Sequence, residues 1–287
     1  MVAKRKTLPV LGTKVSKGSW VENVINYVLA RQNEDGGYAF AQGLVSNLQD
    51  TYYGLAILHL LDTPFPNIQK TIAWLRDFSV ENKLNLHYYL TKALMLIGEP
   101  PCEQIQDFMA SFLASHREFG TIDVYVEIAS ELETTFRVTE IANILRIELN
   151  KGNLTKGLLK YKNDDGGFGA HGRSNLNSTY HAVASLFNLG YAVKSLTDTL
   201  AFVRFCEKPS GGFTVVPNSF PPYMEHVYYG VSILDLLGQL VNYPEETAKF
   251  VFRCQTPRGG FARSDLGIPT FEDTFYALNL LRKIGKL

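Results

Sequence analysis

This chain of 287 residues has little of what marks a protein for nucleic acid, export or a bilayer. It has no excess charge: 28 Lys and Arg balance 28 Asp and Glu, so no basic surface for a polyanion is implied. Its three cysteines, Cys102, Cys206 and Cys254, are odd in number and far apart, which excludes a disulfide framework. No uninterrupted apolar run is long enough to span a bilayer. No signal-peptide core follows the stretch that carries Lys4, Arg5, Lys6, Lys14 and Lys17. The expectation is a reduced, cytoplasmic protein with a mobile basic tail over residues 1–18. That tail is the one feature suited to peripheral contact with an anionic membrane.

What the chain does have is repetition. One glycine turn occurs in "RQNEDGGYAF", "YKNDDGGFGA", "CEKPSGGFTV" and "CQTPRGGFAR". Each copy leads through a variable loop into an apolar run: "DTYYGLAILHLL", "STYHAVASLFNLG", "HVYYGVSILDLLG" and "DTFYALNLLRKIG". Two more units, "LHYYLTKALMLIG" and "DVYVEIASELE", keep the run without the glycines. Helix starts are therefore expected at Asp50, Leu86, Asp123, Ser178, His226 and Asp273. Preceding segments such as "IQKTIAWLRDF" and "EETAKFVFRCQ" repeat apolar residues at three- and four-residue spacing, as helices with one buried face do. The second helix of each pair is apolar nearly all round. Six such pairs predict an all-α, single-domain α/α toroid over residues 19–287, with inner helices around an apolar lumen. The segment near 135–155 reads as an extra helical insertion. Cys206 and Cys254 stand at one point of two repeats, as small apolar side chains at helix ends.

The form Gln-x-x-x-Gly-x-aromatic, at Gln32/Gly36/Tyr38 and Gln255/Gly259/Phe261, resembles the repeat of the prenyltransferase and squalene-cyclase superfamily. Lys162 and Glu207 replace the glutamine in the other two copies. The resemblance runs from about Trp20 to the end and implies the toroid of protein prenyltransferase β-subunits and class II terpene cyclases. It also implies an isoprenoid partner and leaves room for a second protein subunit.

What the resemblance implies for chemistry divides. Protein prenyltransferases hold zinc with Asp-x-Cys at one inner-helix start and His at the next. Those places carry His226, Tyr228 and Asp273 here, so the thiolate is missing. His226 and Asp273 are the weak alternative for a metal, needing Glu272, Glu225 or Tyr228 beside them. The family's diphosphate-binding Arg and Lys fall on Phe220 and Tyr223. No Asp-Asp-x-x-Asp is present as a magnesium clamp, so neither zinc nor magnesium is required by the sequence.

Class II cyclases protonate an alkene with the third residue of Asp-x-Asp-Asp-Thr. Thr270-Phe271-Glu272-Asp273-Thr274 places Glu272 on that acid and Asp273 beside it. Burial and a like-charged neighbour both favour a retained proton. The competing reading is that Asp273, like Asp50, only serves a helix start. Glu272, Asp273 and His226 are the candidate catalytic group. Tyr53, Tyr89, Tyr180, Tyr228, Tyr229 and Tyr276 are the candidate substrate-binding rings, because aromatic faces attract carbocations and apolar chains. His59 and His181 read as core or interface residues, and His171 with Arg173 as a loop pair.

Acid-initiated cyclisation is thus favoured over zinc-dependent protein prenylation. The alternatives are a transferase with an altered metal site and a non-catalytic lipid-binding or scaffold toroid. A carbohydrate-active toroid would use separated carboxylates such as Asp50 and Asp273. It would also want stacking tryptophans near them, and Trp20 and Trp74 fall on outer helices. No Cys-Gly-Glu-Gln is present, which excludes an internal thioester.

Overall fold

A computed structural model describes residues 17–79, 81, 83–115 and 130–287. Its helices alternate outer and inner along the chain. The first pairs are α1 (Lys17–Leu29) with α2 (Leu48–Leu60), α3 (Ile68–Asp77) with α4 (Leu84–Leu96), and α5 (Glu103–Ser115) with α6 (Glu131–Leu145). The remaining pairs are α7 (Lys151–Leu159) with α8 (Leu176–Asn188), α9 (Thr197–Cys206) with α10 (Met224–Leu236), and α11 (Pro244–Arg253) with α12 (Phe271–Lys283). The inner helices pack in chain order, and α12 on α2 closes the ring. Among the described residues there is no strand.

Burial separates the two rings. Helix α2 buries Leu48 and every residue from Thr51 to Leu58, whereas α3 buries only Thr71 and Leu75. The first is walled in on several sides and the second on one, as their apolar patterns predict. Trp20 and Trp74 are on outer helices. Cys206 ends α9 and Cys254 follows α11, both buried.

The glycine turn joins neighbouring repeats. Gly36, Gly166, Gly211 and Gly259 all have positive φ, and an added Cβ would come within 2.4, 2.3, 2.2 and 2.2 Å of the next outer helix's backbone. Only glycine meets both conditions. The residue four before each glycine ties the same joint. Gln32 Nε2 donates to Pro66 O at 3.0 Å and Gln255 Nε2 to Trp20 O at 3.1 Å. Lys162 pairs with Asp198, and Glu207 Oε1 accepts from Asn242 N at 2.6 Å. Three chemistries thus perform one task, and the sixth turn closes the circle onto α1.

The turn's aromatic residue is fully buried and is fastened to the inner helix. Tyr38, Phe168 and Phe261 each donate their backbone N–H, at 2.9 Å, to Thr51, Thr179 and Thr274.

Two expectations are corrected. The segment near 135–155 is no insertion: it supplies the third inner helix, α6, and the fourth outer helix, α7. The start assigned to Asp123 lies outside the described residues, as do Tyr125 and the basic tail through residue 16. The helix in the third inner place begins at Glu131. Its Glu133-Thr134 occupies the place of Asp50-Thr51, Ser178-Thr179 and Asp273-Thr274, which is the sequence signal for that register. His59, expected in the core or at an interface, is exposed on the last turn of α2, which excludes the core.

Candidate functional site

Aligned by their first residues, the inner helices place Asp50, Leu86, Glu133, Ser178, His226 and Asp273 third. This is the turn where free N–H groups need acceptors. Asn47, Ser130, Asn175 and Thr270 supply them, accepting from the backbone N–H of Asp50, Glu133, Ser178 and Asp273. At α12 the bond is returned, since Thr270 Oγ1 donates to Asp273 Oδ2 at 2.7 Å. Asp50 Oδ2 likewise accepts from Asn47 Nδ2 at 2.6 Å. Asp273 therefore does serve its helix start, in a reciprocal cap.

Glu272 has no part in that cap. Its Oε1 accepts from Tyr53 at 2.9 Å and Tyr276 at 2.8 Å. Burial holds both phenols well above the ordinary tyrosine pKa, and the Glu272 charge adds to it, so both remain donors. Both bonds fall on Oε1 and leave Oε2 without a donor among the described residues. Asp273 is pushed up to about 6, first by burial and further by the Glu272 and Glu225 charges. The Thr270 bond and the Arg263 charge pull it back.

Glu272 and Tyr276 line two cavities. A rim pocket of about 440 Å³ lies where α2, α10 and α12 begin, with Asp50, Glu225, Arg263 and Asp273 also in its wall. The lumen, about 130 Å³, lies inward and is lined by all six candidate tyrosines. Their rings touch around the circle: Tyr180 stacks on Tyr229 at 4.6 Å, Tyr228 stacks on Tyr276 at 4.2 Å, and Tyr53 meets Tyr89 at 5.8 Å. The rim pocket falls within the size range of small-molecule sites, and the lumen falls below it.

The expectation of an apolar lumen is corrected. Lys92, Glu133, Arg137 and Glu140 line it, together with Phe136, His181 and Phe275. Lys92 was legible as the lone cation of an apolar run. The other charges belong to α6, whose register the repeat spacing misplaced. Burial, aided by the Arg137 charge, lowers His181 to about 3, so its imidazole is neutral.

His226 is separated from the Glu272 cluster. Its Nε2 lies 3.3 Å from Glu225 Oε1, and its Nδ1 is buried without a hydrogen-bond partner. It lines neither cavity. Burial lowers its pKa, against the opposing pull of the Glu225 charge. Glu225 also pairs with Arg263 at 2.6 Å, and that guanidinium lies over the Tyr223 ring.

Zinc, which the resemblance implies for transferases, does not fit these residues. His226 faces Glu225, Asp273 is engaged by Thr270, and Tyr228 is stacked in the lumen. Among the described residues no three His, Cys, Asp or Glu side chains gather to hold an ion. The weak His226–Asp273 metal alternative is withdrawn on that geometry. His171 and Arg173 are exposed on their loop. Among the described residues no helix is long and apolar enough to cross a membrane.

A family model described as the prenyltransferase alpha-alpha toroid domain matches residues 5–84 and 76–286. Among solved structures, protein geranylgeranyltransferase-I of Candida albicans, complexed with GGPP, aligns with a TM-score of 0.71 at 17% identity. That match covers 92% of this chain and 90% of that one. The type II terpene cyclase MstE from Scytonema aligns at 0.60 and 12% identity, over 93% of this chain and 98% of that one. A variant of that cyclase, in complex with geranylgeranyl dihydroxybenzoate as substrate, aligns at 0.58 and 12%, over 93% and 97%. These likenesses concern the fold. No curated protein matches the chain in sequence.

Proposed function

The chain belongs to the prenyltransferase α/α-toroid family, and from that premise we propose that it binds an isoprenoid-bearing molecule across the rim pocket and the lumen. The Glu272–Asp273 pair then starts a cyclisation by protonating an alkene held at their junction. One observation carries this reading: Glu272 is a carboxylate common to both cavities, oriented by two phenols, beside an aspartate whose pKa is about 6.

The step balances without a co-reactant. The carboxyl proton adds to one alkene carbon, and the π-electron pair becomes the new C–H bond. The cation left on the more substituted carbon is attacked by a second alkene, forming a C–C bond. Loss of a proton from an adjacent carbon returns the charge to the enzyme, and the product is an isomer of the substrate. Tyr53, Tyr228, Tyr229 and Tyr276 would present ring faces to the cation, an attraction that grows as water is excluded. Burial holds their hydroxyls protonated.

Transfer from a diphosphate is the weaker reading. The rim pocket sets Asp50, Glu225, Glu272 and Asp273 against one guanidinium, already paired with Glu225. A diphosphate there would meet like charge.

The test is incubation in D2O with farnesyl- and geranylgeranyl-bearing alcohols, phenols and diphosphates, and with squalene, followed by mass spectrometry. The expected product has the substrate's formula with one hydrogen replaced by a non-exchangeable deuterium. Its rate should fall about tenfold per pH unit above about 6, as the proton on the pair is lost. A product without deuterium, or one formed by loss of diphosphate, sinks the assignment.

A further inference from the structure

The lumen has two unlike sides. Around α10, α12 and α2 it is aromatic, with Glu272 at the mouth, whereas α4 and α6 bring charge to it. Lys92 Nζ lies 2.8 Å from Glu140 Oε2 and 3.1 Å from the Tyr88 hydroxyl, which itself donates to Glu140 at 2.6 Å. One helical turn above Glu140, Arg137 pairs with Glu133 at 2.6 Å. Burial works against the Lys92 charge but is outweighed by the neighbouring oxygens of Tyr88, Tyr52 and Glu140, so the ammonium persists.

Stability does not account for these pairs. Replacing a buried ion pair by apolar residues of similar volume is often neutral or stabilising. Filling the lumen with hydrocarbon would also strip Lys92 and Glu140 of their remaining exposure, 23% and 26%, with no polar contact in return. An anion fares no better, because each cation already has a carboxylate beside it. A group that both donates and accepts hydrogen bonds without charge suits the pair, and a hydroxyl is such a group. Glu272 is the second residue of α12 and Lys92 the ninth of α4. At 1.5 Å per residue the paired charges lie about 10 Å deeper than the acid.

We propose that Lys92 and Glu140 form a polar subsite at the inner end of the lumen that selects an uncharged, hydroxyl-bearing isoprenoid, an alcohol or a phenol, over a hydrocarbon or a diphosphate. This rests on the reading of the lumen as an isoprenoid site. It adds which end of the molecule enters first and what that end carries. The hydroxyl end is held deep, and the chain runs back past Glu272 into the rim pocket.

The test is calorimetric titration of the whole chain with farnesol, farnesyl diphosphate, the hydrocarbon farnesene and phenol, all in one detergent buffer. Farnesol is expected to bind at least about tenfold tighter than farnesene or the diphosphate, the worth of one net hydrogen bond. In a K92M/E140L variant, apolar on both sides and checked for folding by its melting temperature, that preference should vanish while farnesene binds at least as well. A preference for farnesene or the diphosphate in the native chain, or farnesol selectivity that survives the double substitution, overturns the subsite. Binding of phenol alone, lost in the variant, would retain the polar subsite and discard the isoprenoid. Binding of none of the four would discard both.

Discussion

In the turns, Gly36, Gly166, Gly211 and Gly259 occupy one place in four repeats, each with positive φ against the next outer helix. The third residue of the inner helices, by contrast, is Asp50, Leu86, Glu133, Ser178, His226 and Asp273. The turn ring repeats because every joint solves the same steric problem. The inner starts differ in what they face: Asp50 and Asp273 line the rim pocket, Glu133 lines the lumen, and His226 is turned to Glu225. Where repeats agree they describe the scaffold, and where they disagree they describe the site. Asp273 belongs to both classes, as a cap that recurs in Asp50 and as a carboxyl whose pKa its surroundings raise to about 6.

The comparison is broken hardest at Glu272. Glu272→Gln keeps the acceptor oxygen for Tyr53 and Tyr276 but has no proton to give, so the cyclisation rate should fall by about 10²–10⁴-fold with the melting temperature nearly unchanged. A rate within threefold of the native one would reduce Glu272 to a hydrogen-bond acceptor.

In the scaffold, Gly259→Ala puts a Cβ about 2.2 Å from Asn23 O at the joint that closes the ring. A loss on the order of 3 kcal/mol is expected, read as an earlier urea midpoint. The same substitution at Gly43, where nothing lies within 4 Å of the added atom, meets a positive φ but no neighbour and should cost less.

Asp273 links scaffold and site through pH. Its folded pKa of about 6, against 3.8 for an ordinary aspartate, means the folded chain holds this proton more tightly than the unfolded one. The stabilisation, about 3 kcal/mol, is complete below about pH 4 and lost as pH rises through 6. Asp273→Asn should therefore flatten the melting-temperature profile across that window. An unchanged slope would assign the pH dependence elsewhere.

The smallest effect is expected at Tyr53. Tyr53→Phe leaves Glu272 with Tyr276 alone, and a rate change of about tenfold or less should follow, with the ring still packed. A change as large as that at Glu272 would make the phenol a proton carrier.

The toroid was legible in the sequence because periodic glycine turns and apolar runs each have one physical solution. The six candidate tyrosines were legible as lumen-facing from their place at the helix starts, but Tyr52 and Tyr88 line the lumen as well, so both rings of each adjacent pair face it rather than one. The third repeat was misplaced because, without a glycine turn to fix the register, "DVYVEIASELE" offered a nearer apolar run than Glu133-Thr134, the fainter mark of its start. His226 was grouped with Glu272 because it stands at the place of Asp273 in the neighbouring repeat, one residue past the place of Glu272, yet its imidazole is turned to Glu225 and lines neither cavity. One residue of helix register rotates a side chain by about 100°, so neighbours in sequence need not share a site.

The chain by itself determined the ring, its six helix pairs and the glycine joints, because local sterics and apolar periodicity act within a few residues. Only the tertiary structure decided that the lumen is small and partly charged and that Glu272 sits between two cavities. Closing the ring sets residues such as Tyr53 and Glu272, 219 positions apart, against each other. That closure also decided that His226 stands aside.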